Sequence, residues 1–287
     1  MLKQRIITAV VMLAILLPAL FYPSPQAFIA VALVMIAAGA WEWGRLNGLG
    51  QAGSVAVAVA CLLLCGVSWQ AHLVQRPMPM LWIFAGGFWV LAGAWLLRGG
   101  VAGWPRIPRI VRLVSGVLAL WVAWLAVAQA RTTGVNFLLS ILALVWVADV
   151  FAYFAGRTFG LKFTKNKLAP AISPGKSWEG VWGGMLGVVV LGVCWIWADA
   201  RFAPPEAGLY TRLAARAWWL MLLGVVFLAA MSVVGDLVES LIKRSAGAKD
   251  SSNLLPGHGG VLDRVDALLP TLPLAMMLAT LASPLLP

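Results

Sequence analysis

Charge is scarce in this sequence. Only 11% of its 287 residues are charged, ten are acidic and two are histidine. A soluble domain is about half apolar and about a quarter charged; here 62% of residues are hydrophobic. A soluble globular enzyme is therefore excluded, and an all-α, polytopic membrane protein is expected. Cysteine is rare too. Cys61, Cys65 and Cys194 all fall inside apolar segments, so neither a disulfide framework nor zinc-ligand spacing is present, and all three read as small buried hydrophobes. Cys61 and Cys65 lie one helical turn apart, a poor geometry for a bridge. No internal repeat or low-complexity tract stands out, nor the inverted pair of broken helices typical of transporters.

What is abundant is apolar runs about 20 residues long, the length that crosses a bilayer as a helix. Nine are read, at 6–22, 26–44, 53–70, 79–97, 112–130, 135–155, 178–198, 217–239 and 267–285. Met1 to Arg5 followed by an apolar run resembles a secretion signal, but no A-x-A-like cleavage site follows, so a retained first helix is expected. Basic residues fix the orientation. With the N-terminus inside, the cytoplasmic loops receive Lys3, Arg5 and Arg45, the Arg98–Arg112 cluster, Arg157 to Lys176, and Lys243, Arg244, Lys249 and Arg264. Arg76, Arg131, Arg201, Arg212 and Arg216 fall outside, as does the C-terminus. The formal charge of +11 sits in short loops between spans. Attraction to anionic lipid and phosphate-bearing substrates explains it, and no nucleic-acid partner is expected.

The two halves differ. Residues 1–140 read as N-terminal transmembrane helices with a scaffold, dimer or lipid-facing role. Their only acid is Glu42, expected as an interfacial carboxylate paired with Arg45, with Trp41 and Trp43 as interface anchors. Residues 141–287 read as the catalytic region. Asp149 and Tyr153 share a face at i, i+4. Ser173-Pro174-Gly175-Lys176-Ser177 then precedes Glu179 at a helix start, where free amides with Lys176 and Ser177 suit a phosphate; lipid anchoring of the loop lysines is the competing reading. A nucleotide-binding P-loop is rejected because Pro170 stands where its first glycine is needed and no strand precedes. Gly180, Gly183, Gly184 and Gly187 read as close helix packing.

Five of the ten acids lie between Gly235 and Asp266. Asp236, Glu239 and Lys243 share a helix face, with Ser240 one turn after Asp236. Carboxylates at membrane depth are functional by default. Lys249 and Asp250 follow in a loop. Gly257-His258-Gly259-Gly260 then offers a flexible backbone whose amides can bind anionic oxygens, ahead of Asp263, Arg264 and Asp266. Asp236 and Asp263 can converge on one Mg²⁺, which needs one or two carboxylates plus substrate phosphates. Lys243, Arg244, Lys249 and Arg264 suit the phosphate charge. No nucleophilic triad and no zinc spacing is present, so phosphoryl or nucleotidyl transfer fits.

The run Ser240-x-Ile242-Lys243-Arg244, Lys249-Asp250, Leu255-Pro256-x-His258-Gly259-Gly260-Val261-x-Asp263-Arg264-Val265-Asp266 resembles the signature of the CDP-diacylglycerol synthases, the phosphatidate cytidylyltransferases. Ser232 to Ser240, Ile172 to Gly180 and Asp149 to Arg157 resemble that family as well, so the likeness covers roughly residues 145–270. It implies an integral bacterial inner-membrane enzyme that converts CTP and phosphatidic acid to CDP-diacylglycerol and pyrophosphate. It further implies dependence on Mg²⁺ with K⁺ as a second cation, a homodimer, and metal ligation by Asp236 and Asp263. His258 is then expected as a phosphate donor rather than a base, because the attacking lipid phosphate is already anionic. The site is expected to face the cytoplasm. A membrane lipid kinase or polyprenol phosphotransferase is the alternative; a transporter fits less, because intramembrane charge gathers on one side.

Overall fold

The computed structural model describes residues 2–282. It is all helix; among the described residues there is no strand, only two isolated β-bridges, Ala169 to Ser173 and Leu255 to Gly259. In chain order the helices are α1 (Leu2–Phe21), α2 (Gln26–Leu46), α3 (Gln51–Gln70), α4 (Pro79–Gly103), α5 (Arg109–Thr133), α6 (Val135–Phe159), α7 (Trp178–Phe202), α8 (Leu209–Arg216), α9 (Trp218–Ser245), α10 (Leu262–Val265) and α11 (Leu268–Ala282). A single 3-10 turn, Trp104–Arg106, follows α4. Nine segments within the described residues are long and apolar enough to cross a membrane, one for each span read from the sequence. The last runs from Leu262 to Ala282; its expected end at 285, and the C-terminus assigned to the outside, lie beyond the described residues.

Apolar side chains decide which faces turn inward. α9 is central and packs against α4, α7, α8 and α11, burying Met221, Val225, Leu228 and Leu241 completely. The outer faces carry Phe84, Leu91, Trp197 and Phe202, all strongly exposed, as a lipid-facing surface requires. α6 and α7 form the tightest pair. A Cβ at Gly184 would stand 2.8 Å from the Ala148 carbonyl oxygen, so the backbones approach closely only because glycine is there. The glycine run on α7 thus has the packing role expected of it.

Several buried polar groups tie neighbouring helices together. Arg131 is buried and donates from Nε to Leu20 O (3.0 Å) and from Nη2 to Tyr22 O (2.6 Å), capping the carbonyl end of α1. Asp199 accepts from Asn136 Nδ2 (2.9 Å), Gly208 N (2.8 Å) and Thr211 Oγ1 (2.5 Å), which fixes the junction of α7 and α8. Tyr210, fully buried on α8, donates to Ser140 O (2.8 Å). Burial raises its phenol well above the ordinary range, so it stays a neutral donor.

Three sequence expectations change here. Cys61 and Cys65 are buried as read, but Cys194 is exposed on the outer face of α7. Trp43 is not an interface anchor: it is buried, meets Trp104 edge to face at 5.7 Å and donates to Arg112 O at 3.1 Å. α8 occupies a stretch read as loop.

Candidate active site

The ends of α6, α7, α9 and α10 meet on one side of the bundle. Between α6, α7 and α9 lies a cleft of about 440 Å³, lined by Asp149, Tyr153, Arg157, Lys176, Ser177 and Asp236 among small residues such as Ala152, Gly180 and Gly184. The close α6–α7 approach permits this, since short side chains leave room between the helices. Asp149 is exposed on the cleft wall, within electrostatic reach of Asp236, Lys176 and Arg264. Asp266 lies within reach of Asp236, Lys243 and Lys176. Tyr153 Oη accepts from Arg157 Nη1 at 2.9 Å.

Two lysines organise the acids. Lys176 Nζ pairs with Asp236 Oδ2 at 2.6 Å, joining the Ser173–Ser177 loop to α9; their side chains are 25% and 34% exposed. Asp236 Oδ1 accepts from Ser240 Oγ at 3.2 Å. The second centre is drier. Lys243 Nζ pairs with Glu239 on its own helix and with Asp263 Oδ1 at 2.5 Å, with side-chain exposures of 12%, 7% and 5% for Lys243, Glu239 and Asp263. Asp263 Oδ2 accepts from Ser251 N (2.9 Å), Ser251 Oγ (2.9 Å) and Gly260 N (2.8 Å). Each of the two aspartates read as metal ligands is therefore held by a different lysine.

The glycine loop closes on the protein's own carboxylates. The Gly260 amide, expected to meet substrate phosphate, is already donated to Asp263. Gly259 has φ +81°, and a Cβ there would lie 2.7 Å from Asp263 Oδ2, so the turn tolerates only glycine. His258 is half-buried; its amide donates to Leu255 O at 2.8 Å, and its Nδ1 is buried with no hydrogen-bond partner among the described residues. Ser177 is the N-cap of α7, accepting from Gly180 N at 3.2 Å while lining the cleft. Glu179 is buried, and its Oε1 accepts from Phe163 N (3.1 Å), Thr164 N (2.7 Å) and Thr164 Oγ1 (2.8 Å), fixing the preceding loop. Ser173 donates its amide to Ala169 O at 2.8 Å. Arg244, Lys249, Asp250 and Arg264 are exposed, and Arg264 lies within electrostatic reach of Asp149.

Glu42 corrects the sequence reading. It is fully buried rather than interfacial. Arg45 does not pair with it but lies over the Trp41 ring at 4.9 Å. Glu42 instead accepts from Ser251 Oγ (3.1 Å), Ser252 Oγ (2.5 Å), Val261 N (2.9 Å) and Leu262 N (2.7 Å). A lone carboxylate in an apolar half was signal enough to suspect a role; the nearby arginine in sequence masked it. α1 also reaches this loop, with Arg5 Nε donating to Gly257 O (3.0 Å) and Thr8 Oγ1 to Pro256 O (2.8 Å).

Among the described residues no group of three or more His, Cys, Asp or Glu side chains is gathered so as to hold a metal ion alone. Mg²⁺ does not need one, since substrate phosphates and water complete its shell. Asp236 fits that requirement: it is a third exposed, lines the cleft, and receives one donor on each oxygen. Asp263 fits less openly, with one donor on Oδ1 and three on Oδ2.

Known proteins of one family are similar to this chain over most of its length. The profile of the family described as "Cytidylyltransferase family" matches residues 3–282. A Pseudomonas aeruginosa protein named phosphatidate cytidylyltransferase is 40% identical over 278 residues, covering 95% of each chain. A protein of the same name from Haemophilus influenzae is 35% identical over 294 residues, covering 95% of this chain and 96% of its own. One from Brucella abortus is 34% identical, covering 93% and 89%.

Proposed function

The chain belongs to the cytidylyltransferase family, and on that premise we propose that it transfers the cytidylyl group of CTP to phosphatidate at the cleft between α6, α7 and α9. A phosphate oxygen of phosphatidate attacks the α-phosphorus of CTP. The new P–O bond forms as the bond between the α-phosphorus and the bridging oxygen breaks, giving CDP-diacylglycerol and pyrophosphate. The observation that carries this reading is the Lys176–Asp236 pair lining the cleft, because it sets an exchangeable cation and an open carboxylate side by side among small residues.

The attacking group is already an anion at pH 7, so the residues need to supply position and charge rather than a strong base. Lys176 holds a phosphate of the nucleotide once it leaves Asp236. Lys243 stays with Glu239 and Asp263 and fixes the back of the site. The exposed Arg264, Arg244 and Lys249, with Arg157 in the cleft wall, gather the triphosphate and the lipid headgroup. Ser177 and His258 supply further donors. Asp236 and Asp263 would hold Mg²⁺, with the implied K⁺ in the same acid cluster; bound there, the cations neutralise charge developing on the phosphates. The proposed site faces the cytoplasm, a reading that the distribution of basic residues supports. The implied homodimer would cover part of α1, α3 and α4, whose apolar faces are largely unburied.

The test is incubation of the purified protein in detergent with CTP labelled at the α-phosphate, phosphatidate and Mg²⁺. Labelled CDP-diacylglycerol and one pyrophosphate per turnover are expected, and chelation with EDTA should stop the reaction. Release of CDP with a phosphorylated lipid would replace this reading with a kinase. Asp263→Asn should remove turnover while the protein still inserts and folds; near-wild-type rates would take Asp263 out of the site.

A further inference from the structure

Residues 251–262 run between two carboxylates. On one side Asp263 holds Ser251 N, Ser251 Oγ and Gly260 N. On the other Glu42 holds Ser251 Oγ, Ser252 Oγ, Val261 N and Leu262 N. Glu42 comes from α2, more than 200 residues earlier, and is fully buried there. A buried charge is costly unless every oxygen is paired; Glu42 Oε1 meets Ser252 Oγ and Val261 N, and Oε2 meets Leu262 N and a Ser251 hydroxyl whose one proton is shared with Asp263. Two of those donors, Val261 N and Leu262 N, belong to the turn that opens α10 and therefore set where Asp263 begins. The third contact, through Ser251 Oγ, is shared with Asp263 itself.

We propose that Glu42 is a positioning residue for cytidylyl transfer: it fixes the Ser251–Leu262 turn so that Asp263 faces Lys243 in the site. This rests on the function proposed above. It assigns a reaction role to the half of the chain that otherwise reads as scaffold. Asp199 is held by donors on both oxygens too, at the other end of the bundle; what sets Glu42 apart is that its donors adjoin Asp263. Here the chemistry matters, because a glutamine cannot reproduce it. Whichever way its amide turns, the nitrogen confronts a backbone N–H, that of Val261 or that of Leu262, and one amide loses its acceptor.

The experiment pairs kinetics with a readout independent of turnover. Glu42→Gln, Ser251→Ala and their double variant are compared with wild type in the labelled-CTP assay, and hydrogen exchange of peptides covering 250–262 is followed by mass spectrometry. Glu42→Gln is expected to lower kcat/KM by about 10- to 100-fold, the usual effect of losing an orienting partner. Exchange should quicken in 250–262 and not in α7 or α8. The double variant should fall no more than about threefold below the worse single variant, because both residues act by holding the same turn. Asp199→Asn, a buried carboxylate at the other end of the bundle, is the control; it should lower the melting temperature and leave exchange in 250–262 unchanged. If Glu42→Gln fails to fold, Ser252→Ala removes one hydroxyl from the same carboxylate and carries the same comparison. Unchanged exchange in 250–262, unchanged kcat/KM, or effects that multiply in the double variant would overturn the proposal. If the wild-type protein makes no CDP-diacylglycerol, the functional reading fails instead, and exchange alone decides whether Glu42 holds the turn.

Discussion

Lys176 and Lys243 each neutralise acids of the site, yet their surroundings make them different kinds of residue. The Lys176–Asp236 pair is 25% and 34% exposed, and a pair that wet contributes about 0–1 kcal/mol. Lys243 sits with Glu239 and Asp263 at exposures of 12%, 7% and 5%. Removing it leaves two buried carboxylates uncompensated, a loss of about 3–5 kcal/mol. Lys176→Ala should therefore lower kcat/KM for CTP with little change in melting temperature, whereas Lys243→Ala should lose both. Thermal unfolding in detergent alongside kinetics separates them; equal destabilisation by the two would contradict the assigned exposures. The acid-rich run from Asp236 to Asp266 was legible at this scale because it is contiguous and membrane-embedded charge is conspicuous. Glu42 was not, since its partners lie more than 200 positions away and only tertiary packing brings them together.

Among the elements, the α6–α7 pair bears most directly on the cleft. Gly184 lines it, and a Cβ there would stand 2.8 Å from Ala148 O. Gly184→Leu should force the helices apart at a cost of about 1–3 kcal/mol and slow turnover by disturbing the cleft wall. Gly175→Ala, in open space, should stay within about 0.5 kcal/mol of wild type; denaturation midpoints of the two variants check this. The long helices were readable from apolar run length alone, because each must span a bilayer. α8 was not, because a helix of eight residues carries too little pattern to distinguish it from a polar connection. It is anchored instead by tertiary groups, with Leu209 N bonded to Ser140 Oγ at 2.9 Å. The loop glycines were read as donors to substrate, but whether an amide is free depends on which carboxylate folds against it. At Gly260 that carboxylate is Asp263.

For the whole molecule, contacts distant in sequence gather one set of helix ends. Arg5 at the start of α1 reaches Gly257, Glu42 near the end of α2 reaches Ser251, and Lys176 before α7 reaches Asp236 near the end of α9. Helices that alternate in direction across a membrane bring these ends to the same surface only if an even number of spans separates them, so the geometry constrains the parity of the count as well as the site. That surface also receives most of the basic residues, including Lys162, Lys165, Lys167, Arg244 and Lys249. The opposite surface has Glu206 paired with Arg212 at 2.9 Å. Basic residues tend to be retained on the cytoplasmic side, and the nucleotide of the proposed reaction is cytosolic, so both arguments support the proposed orientation of the cleft. With Cys194 replaced by serine, Glu206→Cys should react in intact cells with a maleimide that cannot cross the membrane. Lys249→Cys should react only after permeabilisation. The reverse pattern would place the cleft on the outer side, away from its nucleotide, and the proposed reaction could not proceed in the cell.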